Sequence, residues 1–196
     1  MSRTAIYKLA YFVLVLGSAG LLAWFLVPRH PEVITPWAIL PVALMLLPGR
    51  VLAYFWRNLL CGLRLLRERR FEESKAHTEA FLRELDQKPW LKNLIWLGFG
   101  TYSRSPTCFA LNNLGAAEIG LGEMTGAREH LYAAMRADEA CPLPYFNMGV
   151  LCTALGEHEE AQTWYEKAAA FGYSRSVIDV IIGSSQTRLA RRAGGS

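Results

Sequence analysis

Two stretches of this chain match when one is slid 34 residues along the other, and a period of that length narrows the possible folds sharply. The first reads LNNLGAAEIGLGEMTGAREHLYAAMRAD from Leu111, the second YFNMGVLCTALGEHEEAQTWYEKAAAFG from Tyr145. The paired positions are Asn113/Asn147, Leu114/Met148, Gly115/Gly149, Leu121/Leu155, Gly122/Gly156, Glu123/Glu157, Ala127/Ala161, Leu131/Tyr165 and Ala134/Ala168. In each stretch a large apolar residue and then a glycine lie inside a first predicted helix, where the missing side chain lets a partner helix approach. The L-G-E triplet ends that helix, with Gly122 or Gly156 as the turn glycine. A second helix follows, and its face of Ala127, Leu131 and Ala134, or Ala161, Tyr165 and Ala168, nests against the first. The period is a helix–turn–helix unit used twice, which predicts an all-α fold.

These residues resemble the tetratricopeptide repeat family. Its pattern has a large residue and glycine in helix A, a turn glycine, and an alanine–aromatic–alanine face in helix B. The resemblance covers about residues 108–175, as repeats 108–141 and 142–175. Glu118 and Cys152 depart from it where the family often has tyrosine, and Leu131 replaces the aromatic. The closing proline is displaced to Pro142 in the first unit and absent from the second. The resemblance implies a short α-solenoid whose A helices line a groove for a protein or peptide. Asn113 and Asn147 sit where the family often hydrogen-bonds a ligand backbone. Phe109, Asn112, Ala116 and Ile119, then Leu143, Phe146, Val150 and Thr153, lie one turn away. No basic residue stands among them to clamp a carboxylate terminus.

Two repeats rarely bury enough surface alone. Sliding the frame back gives a degenerate helix pair over 74–107, one helix through Leu85 and another from Trp90 to Gly100. Forward, 176–196 reads as a capping helix and tail, with Val177, Ile178, Ile181 and Ile182 packing on the last repeat.

The first quarter is different. The chain is 52% apolar, and two uncharged runs, 19 residues over Leu9–Val27 and 15 over Val33–Leu47, concentrate that character. A membrane crossing takes about 20 apolar residues. The expectation is a transmembrane hairpin over 1–49, with spans about 9–27 and 33–53. Gly17-Ser18-Ala19 also resembles a signal-cleavage site, and the second segment could instead be re-entrant. Arg3 and Lys8 before the first span and six arginines after the second place both termini and the repeats in the cytoplasm, in a bacterial inner membrane.

Residues 50–73 form a basic connector. Arg50, Arg57 and Arg64 recur every seven residues and Arg67 follows, which suits an amphipathic helix on lipid headgroups or a packing helix with solvated arginines. The same helix can be continued to about Leu85. Residues 50–70 hold six arginines against one glutamate, whereas 106–175 hold nine acids against four bases. Nucleic acid is not an expected partner, because the basic excess is off the repeats. The acidic repeats suit a basic partner segment.

Cys61, Cys108, Cys141 and Cys152 form no metal-ligand spacing and read as reduced, mostly buried thiols. No P-loop, nucleophile elbow or dinucleotide fingerprint occurs, so neither an enzyme nor a cofactor is expected. The function predicted is a membrane-anchored adaptor that recruits or organises a protein partner through its A-helix groove. The alternative is an accessory subunit of a larger membrane complex, held mainly through the hairpin.

Overall fold

The computed structural model describes residues 49–97 and 104–180, with isolated positions at 13, 14, 17, 20, 21, 24, 47 and 183. All regular structure among them is helical. The chain divides into two compact units, Met1–Arg57 with Lys88–Thr101, and Asn58–Gln87 with Tyr102–Ser196. In the first, the Trp56 indole N–H donates to the Leu91 carbonyl at 3.4 Å, and Phe55 meets Trp90 edge-on. That tryptophan lies in a 3-10 helix, Pro89–Leu97, where the sequence predicts the helix Trp90–Gly100.

Among its described residues the second unit carries six longer α-helices: α1 (Arg57–Arg67, its first residue in the other unit), α2 (Phe71–Gln87), α3 (Pro106–Leu121), α4 (Met124–Ala137), α5 (Pro142–Leu155) and α6 (His158–Ala170). Residues 175–180 add a short seventh helix that buries Ile178 in the core of the last repeat. Local chemistry sets the boundaries. Ser105 caps α3 by accepting from the Cys108 N–H at 3.2 Å, and Pro106 stands where no intrahelical N–H is needed. Gly122 and Gly156 end α3 and α5 at φ of 83° and 82°, a left-handed conformation that suits glycine.

The helices stack in series: α2 on α3, α3 on α4, α4 on α5, α5 on α6, with α3 also touching α5. The core joins Ala127, Leu131 and Met135 of α4 to Met148, Leu151 and Cys152 of α5 and Ala161 and Tyr165 of α6. Gly115 lies so close to Leu131 that an added Cβ would sit 2.8 Å from it, and Gly149 would meet the Tyr165 ring at 2.6 Å.

Gly62 repeats the arrangement. A Cβ there would lie 2.7 Å from Thr78 Oγ1, and in all three cases the partner is 16 residues further on. Ser74, Thr78 and Phe81 are fully buried, as are their counterparts Ala127, Leu131 and Ala134. The pair α1–α2 therefore packs in the register of the two repeats. Its offset from the first is 53 residues rather than 34, and the surplus falls between α2 and α3. The chain turns between α1 and α2 at Arg69, φ 61°, so the helix continued to Leu85 is two helices.

The expected integral-membrane location is overturned, because no helix among the described residues is long and apolar enough to cross a membrane. A crossing takes about 20 apolar residues. The helix of 49–55 stops at a turn on Trp56, and α1 carries three arginines in 11 residues. Most of 9–27 and most of 33–48 lie outside the described residues, as do Ser18 and Ala19 of the cleavage site, Ile181 and Ile182.

Candidate groove between the A helices

The residues expected to line a groove belong to α3 and α5, which touch directly. Phe109, Ala116 and Ile119 are half-buried on α3, and Phe146 and Val150 are half-buried on α5. Ile119, Phe146 and Val150 also pack against the core, so the residues expected to line the groove are continuous with it. The Phe146 ring stacks on Tyr173 at 4.2 Å and lies 5.8 Å from Tyr165. Tyr173 was not singled out by the repeat pattern, since it stands where the second unit lacks the closing proline.

The two equivalent asparagines are not equivalent in structure. Asn147 Nδ2 donates to Asn112 Oδ1 at 2.8 Å, a bond that ties the two repeats together. Asn113 is 6% exposed and makes no side-chain hydrogen bond among the described residues. Its amide is not sealed off: only Thr78 Oγ1 is both enclosed and unpartnered there. The amide therefore reaches solvent, and a hydrogen-bonding ligand can take the place of water there.

The charges lie elsewhere. Glu118, with its side chain only 4% exposed, sits 2.7 Å from His130 Nδ1 and 3.6 Å from Lys75 Nζ. Lys75 also pairs with Glu123, and that hydrogen bond is the chief reason its ammonium titrates above the ordinary lysine value. The cluster joins α2, α3 and α4. Periodicity hides it, because Glu118 replaces a large family residue and Lys75 lies outside the matched stretches.

Cys152, Glu157 and Glu160 bring a sulfur and two carboxylate oxygens within 4.8 Å of one another. Arg128 already holds both carboxylates, at 2.9 Å and 3.9 Å, and burial pushes the Cys152 thiol up to about 11. Arg128 neutralises the two carboxylates, so the three groups form an ion-pair cluster beside a buried thiol. All four cysteines are free, three of them buried.

The arginines expected on lipid headgroups, Arg50, Arg57, Arg64 and Arg67, are exposed. Arg64 makes a loose pair with Glu68 at 3.8 Å.

Residues 144–170 match the model of the tetratricopeptide repeat family. No curated protein and no solved structure matches the chain. The matched segment runs from α5 through α6, and repeats of this family are interaction modules that bind protein partners. This supports a protein–protein interaction role for the chain.

Proposed function

We propose that the chain is a scaffold that holds an extended segment of a partner protein against α3 and α5. The observation that carries this reading is Asn113, buried and without a side-chain hydrogen bond among the described residues, beside a groove wall of apolar side chains. A peptide backbone presents donors and acceptors at regular spacing, so it satisfies such an amide whatever its sequence. Asn147 adds a second amide one repeat along, already oriented by Asn112. The groove positions carry no charge, and 106–175 as a whole hold nine acids against four bases, which favours a partner segment of neutral to basic character.

The test is capture of partners by the full chain and by an Asn113→Ala/Asn147→Ala double variant, with folding checked by circular dichroism. The double variant loses the partners the parent retains. An unchanged set of partners sinks the assignment.

A further inference from the structure

The register of α1 against α3 and α5 leaves exposed on α1 a position that the other two A helices bury. Arg64 occupies the position of Ala117 and Leu151, both fully buried, while its own side chain is 68% exposed. Arg67 occupies the position of Gly120, where an added Cβ would sit 2.6 Å from the Phe71 ring of α2. The Phe71 ring of α2 covers that end of α3, and α4 packs on α5. On α1, Leu60, Arg64 and Arg67 are exposed.

The open face has a definite chemistry. Leu60, Arg64 and Arg67 recur at helical spacing and Leu63 lies beside them, on the side opposite Gly62, which faces α2. Leu60 is 43% exposed, and α1 contains no acidic residue. An apolar anchor flanked by cations differs from the alanine-rich face that α3 offers α2. Its complement is an apolar stripe flanked by carboxylates.

We propose that this face of α1 docks an acidic amphipathic helix from a partner protein, seated where a preceding repeat's second helix would lie. The site is separate from the groove on α3 and α5 and takes the opposite charge. The chain itself supplies the mode of packing, since the second helix of one pair packs on the first helix of the next, α2 on α3 and α4 on α5.

The experiment is selection of a displayed library of single-helix peptides, randomised along one face, against the full chain. The selected helices carry aspartate or glutamate beside leucine-like anchors. Arg64→Glu/Arg67→Glu weakens them by on the order of tenfold or more, and replacing their acids with lysine restores binding to that variant. Both arginines are exposed, so the variant keeps the parent's circular dichroism spectrum. The Asn113→Ala/Asn147→Ala variant binds the helices as the parent does, which separates this site from the groove. The proposal is overturned if no helix is selected, if the selected helices lack acidic excess, or if the charge reversal leaves binding unchanged. It is also overturned if the reversal acts only on concentration-dependent self-association in light scattering, or only on binding to anionic vesicles.

Discussion

Arg128 on α4 donates to Glu157 at 2.9 Å, and Lys75 on α2 pairs with Glu123 in the same way one unit earlier. In each pair the cation belongs to the second helix of one unit, and the carboxylate follows the turn glycine of the next. The first pair is 29 residues apart and the second 48, and the difference is the surplus between α2 and α3. A double-mutant cycle of Arg128→Ala and Glu157→Ala isolates one such link. The side chains are 32% and 42% exposed, so the coupling expected is about 0.5–1 kcal/mol, falling as salt rises. A coupling of zero at low salt means that the pair does not help hold the units together.

Close approach of the helices in each pair depends on three glycines. Gly149→Ala drives a methyl group to within 2.6 Å of the Tyr165 ring, and Gly115→Ala to within 2.8 Å of Leu131. Overpacking of this kind costs about 1–3 kcal/mol. Gly62→Ala meets Thr78 Oγ1 at 2.7 Å and the Ser74 carbonyl at 3.3 Å, so a loss of the same order is expected. Urea midpoints of the three variants are the measurement. An unchanged midpoint for Gly62→Ala would remove α1–α2 from the series.

The sequence carried the repeats because their register is written in residue types. Small residues at Gly115, Ala127 and Ala134, and again at Gly149, Ala161 and Ala168, recur 34 apart, and both turns keep L-G-E. The pair α1–α2 obeys the same geometry with different letters. Ser74, Thr78 and Phe81 replace the alanine–large–alanine face, and Arg69 replaces the turn glycine. Sliding by 34 lands on 74–107 because the extra residues after α2 break the period. The contrast between Asn113 and Asn147 was illegible for another reason. It depends on Asn112 reaching across to the next repeat, a long-range contact that no local pattern encodes.

Arg69 and Gly122 occupy equivalent turns at φ of 61° and 83°. A left-handed conformation costs a side-chain-bearing residue about 1 kcal/mol relative to glycine. Arg69→Gly should therefore raise stability by up to about 1 kcal/mol, while Gly122→Ala should lower it by about as much. Thermal melts of the two variants shift in opposite directions. A shift of the same sign in both contradicts the shared turn geometry.

Thr78 Oγ1 is enclosed without a hydrogen-bond partner. Thr78→Val keeps the shape and removes the unpaired hydroxyl, so a gain of about 1 kcal/mol is expected, read from the urea midpoint. A loss of stability means that the hydroxyl is bonded in solution.

The Cys152 thiol is pushed from 9.0 to about 11, first by burial and then by the nearby Glu160 and Glu157, with Arg128 pulling the other way. Folding thus favours the protonated form. Above pH 9 the unfolded chain gives up this proton while the folded chain keeps it, so the unfolded state binds fewer protons and stability falls as pH rises. The contribution is complete below pH 9 and is lost between about 9 and 11. Cys152→Ala should flatten that part of the stability–pH curve relative to the parent. Only the thiolate attacks an alkylating reagent, so Cys152 should react with iodoacetamide at pH 8 no faster than the chain unfolds. Mass spectrometry of the labelled peptide checks this, and rapid labelling of the folded chain contradicts it.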